Sequence, residues 1–122
     1  MTPEKFNELA NKLKKHCFDT LIEKGEQYSR NGDRLHNFKA AARARNCHPI
    51  EALHGMNVKH VISIDDISSD VVASGPVPDE KVLLEKIGDN INYLILLYAM
   101  LVEIKTGQEV FHDTFDHVPV EE

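Results

Sequence analysis

The chain has 122 residues, a formal net charge of −6 and a hydrophobic fraction of 42%. This length suits one compact domain with its own core, and the hydrophobic fraction argues against intrinsic disorder. The acidic balance disfavours nonspecific binding to a nucleic-acid backbone, so a nucleic-acid partner is not expected. No apolar run reaches the roughly 18 residues of a membrane span, and no signal segment opens the chain. The sequence therefore predicts a cytoplasmic protein with no membrane partner.

Helical periodicity dominates the first third of the chain. The predicted first helix begins at Pro3 after a Thr2 cap and ends near Lys24 or, beyond Gly25, at Tyr28. An Asn-Gly pair at residues 31–32 predicts the turn that follows it.

Three further helices are predicted after this turn. The second spans residues 34–45 with Asp33 as its cap, and the third begins at Pro49 and ends within residues 68–72. The fourth follows a possible Asp79 cap and is predicted to end at Gly107. No segment predicts a convincing strand. We therefore expect an all-α, antiparallel four-helix bundle over residues 1–107 and a C-terminal tail over residues 108–122.

The fourth predicted helix carries polar residues that its packing does not need. Glu85, Asp89 and Asn92 follow one another at i, i+4 and i+7, so they share one face. From Leu94 to Val102 nearly every residue is apolar, which predicts burial on most sides. Because buried, unpaired carboxylates cost several kcal/mol, they need a cation, a partner or a wet cavity. A divalent metal is the sharpest explanation.

A second acidic face is predicted on the first helix. Glu23 and Glu26 form an E-x-x-E pair on the same face as His16 and Asp19. Such a pair on a surface helix is usually solvated charge. If both helices present their carboxylates inward, oxygen ligands favour Mg²⁺ or Mn²⁺ over zinc.

Basic and histidine residues supply the remaining candidates. Arg34 and Lys59 could bind phosphate groups, although each could equally be an exposed or snorkelling cation. His36 and Asn37 could stack on a base or hydrogen-bond with it, and His60 falls on an apolar stripe that favours a core role. The C-terminal segment is most typical of a polar tail, and the alternative is a separate metal site. It would use the three residues His112, Asp113 and His117.

Two acidic segments carry a resemblance to a known group. The segment from Glu23 to Glu26 and the segment EKIGDNINYLILL, which contains Glu85 and Asp89, resemble the all-α nucleoside triphosphate pyrophosphohydrolase superfamily. That superfamily includes MazG-like enzymes, dimeric dUTPases and phosphoribosyl-ATP pyrophosphohydrolases. The phrases KGEQY and GMNVKH are similar to small phage-type proteins of this group, some described as nucleotide-modification-associated domains. The resemblance covers residues 21–103.

The resemblance implies a MazG-like bundle, a nucleotide substrate and a homodimer or homotetramer in a bacterial or phage-infected cell. It implies Mg²⁺ or Mn²⁺ as cofactor, and hydrolysis that yields a nucleoside monophosphate and pyrophosphate. The resemblance implies that four carboxylates bind the metal and carry out catalysis: Glu23, Glu26, Glu85 and Asp89. It implies that Arg34 and Lys59 bind phosphate groups, and that His36 and Asn92 contact the sugar or the base.

One departure from the family pattern keeps an alternative open. The family has a glutamate three residues before the aspartate, whereas this chain has Lys86 there and Glu85 one residue earlier. A catalytically silent, phage-type binding or assembly protein on the same bundle is the alternative. A phosphohydrolase that uses the tail residues is a third hypothesis.

Overall fold

The structure is a computed structural model that describes the backbone of residues 1–116 and the side chains of residues 1–108. Within that part it contains four helices and no strand. The helices are α1 (Pro3–Tyr28), α2 (His36–Arg45), α3 (Pro49–Val72) and α4 (Glu80–Asp116). α4 packs against both α1 and α3, and α2 packs against α3. The predicted all-α helical bundle is confirmed.

Local sequence signals place the ends of α1 as expected. The Thr2 Oγ1 accepts a hydrogen bond of 3.1 Å from the Lys5 backbone N–H, and proline occupies the first turn. The helix extends past Gly25, and the chain then turns through Asn31 (φ 53°) and Gly32 (φ 75°). Both residues have the left-handed backbone that Asn-Gly favours.

The boundaries of α2 and α3 follow from their caps. α2 begins at His36, two residues later than predicted, because Asp33 caps the preceding turn: its Oδ1 accepts from the Leu35 N–H at 2.9 Å. At the start of α3, the His48 Nδ1 accepts from the Ile50 N–H at 3.0 Å. The Glu51 Oε1 accepts from the His48 N–H at 3.2 Å. This reciprocal arrangement is a capping box.

The predicted end of the fourth helix at Gly107 is wrong. α4 continues to Asp116, so residues 108–116 of the predicted tail belong to the helix. Gly107 lacks the positive φ of a terminating glycine. A glycine inside a helix costs only about 1 kcal/mol relative to alanine, which the continuing hydrogen bonds offset.

The hydrophobic core lies where α2, α3 and α4 meet. Its buried centre consists of Leu35, Phe38, Leu53 and Met100. Half-buried apolar side chains surround this centre, among them Ile50, Met56, Tyr93, Leu96, Leu97 and Ile104. Phe38, Leu53 and Met100 are each only 1% exposed, so they hold the three helices together.

Within the single chain, the prediction that α4 is buried on most sides is wrong. Leu94 is 54% exposed and Tyr98 is 71% exposed, and Leu101 and Val102 are also exposed. On α1, the apolar side chains of Phe6, Phe18 and Ile22 are exposed as well.

One stretch of α4, Glu80–Gln108, is long and apolar enough to cross a membrane by length and composition. A core helix of a soluble protein passes the same test, so this finding alone is weak evidence for a membrane span.

Candidate functional site

A cavity of about 390 Å³ opens between the helices. Its volume lies within the range of about 300–1,000 Å³ that is usual for small-molecule sites. All four helices and the loop before α2 contribute to its wall. The lining residues are His16, Thr20, Leu21, Lys24, Tyr28, Arg34, Asn37, Phe38, Lys59, His60, Glu85, Asp89, Asn92, Tyr93 and Leu96.

α1 contributes one face to the cavity, which includes His16 of the predicted acidic face but not Glu23 or Glu26. His16, Thr20, Lys24 and Tyr28 lie one helical turn apart and line the wall. The Lys24 Nζ lies 5.7 Å from the centre of the Tyr28 ring, within the range of a cation–π contact.

The predicted metal ligands on α1 lie elsewhere. Glu23 and Glu26 are exposed and are not among the residues that line the cavity. His36, predicted to contact a base, is half-buried and does not line it either.

Arg34 reaches the cavity by crossing the surface of α1 at Gly25. A Cβ atom at residue 25 would lie 3.0 Å from the Arg34 Nε, so glycine leaves room for the guanidinium group. The Arg34 Nη2 donates to the Leu21 carbonyl oxygen at 3.3 Å. Burial lowers the pKa of Arg34, although the group stays charged. Arg34 lines the cavity, and no carboxylate of the described residues forms an ion pair with it.

The polar face of α4 lines the opposite wall. Glu85, Asp89 and Asn92 all border the cavity, as their shared helical face predicted. The Asp89 Oδ2 lies 3.6 Å from the His60 Nδ1 on α3. Burial lowers the pKa of His60, whereas the neighbouring Asp89 carboxylate opposes this shift. His60 is therefore a cavity residue and not only a core residue.

Aromatic rings form the floor of the cavity. The Tyr93 ring packs against His60 with ring centres 5.1 Å apart, and against the edge of Phe38 at 6.1 Å. Burial raises the pKa of Tyr93, and the Asp89 carboxylate raises it further. Phe38, Tyr93 and Leu96 join this floor to the hydrophobic core.

Two asparagines in the wall have buried oxygens without hydrogen-bond partners. The Oδ1 atoms of Asn37 and Asn92 are both shielded from solvent and unpaired. Asn92 is only 6% exposed, so its carboxamide is nearly enclosed. An unpaired buried acceptor costs about 1–3 kcal/mol, which a ligand-binding role would explain.

The predicted four-carboxylate metal site does not assemble. Glu85 and Asp89 reach the cavity, whereas Glu23 and Glu26 do not. Among the described residues, no three His, Cys, Asp or Glu side chains are grouped closely enough to hold a metal ion by themselves.

Two carboxylates nevertheless fit Mg²⁺ if a ligand completes the shell. Mg²⁺ is commonly held by one or two carboxylates together with waters and substrate phosphates. The metal-binding roles of the acidic residues, and the phosphate-binding roles of Arg34 and Lys59, remain predictions.

The alternative site in the tail is outside the described part of the chain. The side chains of His112 and Asp113, and all of His117, lie beyond the described residues.

Several cavity residues were not predicted as site residues. Lys24 and Tyr28 could have been found from their spacing, because residues 16, 20, 24 and 28 follow one helix face. Tyr93 adjoins the predicted site residue Asn92 in sequence but carried no motif of its own, whereas Asn37, expected with His36 to contact a base, does line the cavity.

The fold and the cavity together define a small all-α protein with a ligand-sized polar cavity. No protein-family model, curated protein or solved structure matches the chain. The resemblance to the pyrophosphohydrolase superfamily therefore rests on the motifs around residues 23–28, 55–60 and 85–97.

Proposed function

We propose that this protein binds a nucleoside triphosphate in the cavity and, with Mg²⁺, hydrolyses it to a nucleoside monophosphate and pyrophosphate. The observation that carries the proposal is the composition of the wall. Two predicted phosphate-binding cations, Arg34 and Lys59, line the same cavity as the carboxylates of Glu85 and Asp89. Cations and carboxylates around one cavity suit a metal–triphosphate ligand better than a free anion or a free cation.

Each charged group has a role in the proposal. Arg34 would bind phosphate oxygens through its planar guanidinium group and Lys59 as a point charge at the rim, and both would favour the charge that develops on the phosphates. Glu85 and Asp89 would hold Mg²⁺, which supplies charge neutralisation and a more acidic bound water. In the proposed reaction a water that gives its proton to the Glu85 or Asp89 carboxylate would attack the α-phosphorus, the bond from that phosphorus to the α–β bridging oxygen would break, and pyrophosphate would leave.

A second candidate function is a nucleotide-binding protein without catalysis. Two of the four carboxylates implied by the resemblance, Glu23 and Glu26, lie outside the cavity wall, and this observation favours it. Both candidates use the same cavity, so they differ only in turnover.

Pyrophosphate release separates the two candidates. The assay uses ATP, GTP, CTP, UTP and their deoxy forms, each with Mg²⁺ and with chelator. We expect Mg²⁺-dependent release that falls at least about 100-fold in Glu85→Gln and in Asp89→Asn. Both substitutions keep side-chain size and remove charge, so thermal melting serves as the control for folding.

The exposed pair on α1 provides the matched control variants. Glu23→Gln and Glu26→Gln should retain activity, because neither residue lines the cavity. If these variants lose activity with the fold intact, the metal site is the four-carboxylate site of the resemblance. If no nucleotide is hydrolysed but nucleotides raise the melting temperature, the result supports a nucleotide-binding protein without catalysis. If neither occurs, both candidates fail.

We also propose a homodimer or homotetramer as the functional assembly. The apolar residues that α4 leaves exposed, including Leu94 and Tyr98, support this. Large exposed apolar patches on soluble proteins commonly mark interaction surfaces.

A further inference from the structure

The cavity changes from apolar to charged between its floor and its rim. Phe38, at the floor, is 1% exposed, and Asn92, which lines the same cavity, is 6% exposed. Lys24, Lys59 and Glu85, also part of the wall, are exposed to solvent. A ligand that fills the cavity must therefore have an uncharged, ring-like end that enters first and a charged end that stays near solvent.

The floor supplies the contacts that a planar heterocycle needs. The Tyr93 ring, held by His60 and Phe38, is an aromatic surface at the inner end. Aromatic side chains bind nucleobases by stacking, an interaction worth about 1–3 kcal/mol per base.

The two asparagines supply hydrogen bonding in the same region. Asn37 and Asn92 line the same cavity as the Phe38 and Tyr93 rings. Both carry a buried Oδ1 that no protein group satisfies. A carboxamide offers one acceptor and one donor side by side, and a half-turn exchanges their positions.

We propose that Asn37 and Asn92 bind the hydrogen-bonding edge of the nucleobase and thereby set the base preference of the cavity. This inference rests on the proposed function. A base edge that carries a donor beside an acceptor pairs with a carboxamide through two hydrogen bonds. The ligand would satisfy groups that the protein leaves unpaired, and a base with a mismatched edge would leave them unpaired at a cost.

The test measures binding by calorimetry in the presence of Mg²⁺. The probes are the α,β-methylene analogues of ATP, GTP, CTP and UTP, which resist cleavage at the α–β linkage, and inorganic tripolyphosphate, which has no base. We expect the wild-type protein to bind its preferred base at least about tenfold more tightly than the weakest one. Tripolyphosphate should bind without this contribution.

Asn92→Leu tests the role of the carboxamide directly. Leucine has a similar size and removes an unsatisfied acceptor, so the melting temperature should stay unchanged or rise. We expect the four nucleotides to bind this variant within about twofold of one another, with tripolyphosphate affinity unchanged. Asn37→Leu, at a less buried position, is the second variant. Asn7→Leu, on the exposed part of α1, is the matched control and should keep the full preference.

The outcomes separate this inference from the proposed function. Equal affinities for all four bases in the wild type, or a preference that persists in both Asn37→Leu and Asn92→Leu, would overturn the base-reading role. Tripolyphosphate binding that continues in that case leaves the phosphate-binding part of the proposed function standing. If neither tripolyphosphate nor any nucleotide binds the wild type, the proposed function fails and this inference fails with it.

Discussion

α4 has a polar face that lines a cavity and an apolar face that is exposed to solvent. A simple core helix would instead bury its apolar face and expose its polar face. One face carries Glu85, Asp89 and Asn92 and lines an internal cavity. The other carries Leu94, Tyr98 and Leu101 and is exposed. At about 100° per residue, the two sets lie on opposite sides of the helix axis.

The inner face of α4 therefore contributes both to the hydrophobic core and to the cavity wall. Farther along the inner face, Met100 is 1% exposed and packs in the hydrophobic core. The cavity part of that face keeps polar groups that cost stability unless a ligand engages them. The apolar outer face has no intramolecular partner among the described residues that would cover it. The following predictions test this contrast, from the largest expected effect to the smallest.

The contrast is sharpest between two neighbouring residues, Met100 and Leu101. Met100→Ala should lower the free energy of unfolding by about 2–5 kcal/mol, because it empties space in the core. Leu101→Ala should change it by less than about 0.5 kcal/mol at concentrations where the chain is monomeric, because Leu101 is 47% exposed. Urea denaturation monitored by circular dichroism measures both. Similar losses for the two variants would contradict the assignment of the faces.

The outer face should govern assembly and leave ligand binding unaffected. The double substitution Leu94→Lys and Tyr98→Lys should weaken self-association at least about 30-fold, because it places charges in a desolvated contact. Analytical ultracentrifugation over a range of concentrations measures the change. Ser68→Lys, an exposed position on α3, is the control. A wild-type chain that is monomeric at every concentration would refute the assembly proposal.

The cavity should lose ligand affinity when Arg34 is displaced, without loss of fold. Gly25→Ala places a methyl group 3.0 Å from the Arg34 Nε, so the guanidinium must shift. We expect nucleotide affinity to fall about tenfold, since hydrogen bonds to charged groups contribute about 1.5–3 kcal/mol. The melting temperature should hold or rise, because alanine favours helix. Isothermal calorimetry and thermal melting measure the two effects.

Gly107→Ala is the matched control for this substitution. Nothing in the structure lies within 4 Å of a Cβ atom at that position. It should stabilise α4 slightly and leave nucleotide affinity unchanged. Unchanged affinity in Gly25→Ala as well would mean that Arg34 does not bind the ligand.

A small effect is expected at Lys39, which ties the loop before α2 to the later part of α4. The Lys39 Nζ lies 2.7 Å from the Asp33 Oδ2 and 2.7 Å from the Glu103 Oε1. Lys39→Met should cost up to about 1 kcal/mol in urea denaturation at pH 7. Lys15→Met, which breaks the more exposed contact with Asp19, should cost less.

The cost at Lys39 should depend on pH. Hydrogen bonds from Lys39 and from the Leu35 backbone lower the pKa of Asp33. A carboxyl group with a lowered pKa in the folded state stabilises the fold above its unfolded pKa of about 3.9. That stability is lost as pH falls through the lower folded value. The difference between wild type and Lys39→Met should therefore shrink below about pH 4, and a constant difference would argue against the ion pair.

Local chemistry made much of the helical pattern predictable. The Thr2-Pro3 start, the Asn31-Gly32 turn and the start of α3 at Pro49 each depend on residues within a few positions of one another. The end of α4 was mispredicted at Gly107, because a glycine signals a helix end only when the chain adopts a positive φ there.

The candidate site was predictable where it depends on one helix. The shared face of Glu85, Asp89 and Asn92 follows from helix geometry alone, and all three line the cavity. The expected meeting of this face with Glu23 and Glu26 required the rotation of α1 against α4, which no local spacing specifies.

The sequence by itself determined four helices, most of their ends and the polar face of α4, because capping, turn formation and helical periodicity act over a few residues. Only the tertiary structure decided which faces meet. The packing of α1 on α4 brings Lys24 and Tyr28 to the cavity and leaves Glu23 in solvent. The path over Gly25 brings Arg34 there as well. These outcomes depend on how side chains pack between helices that are far apart in sequence. The hydrophobic periodicity of a single helix does not specify that packing.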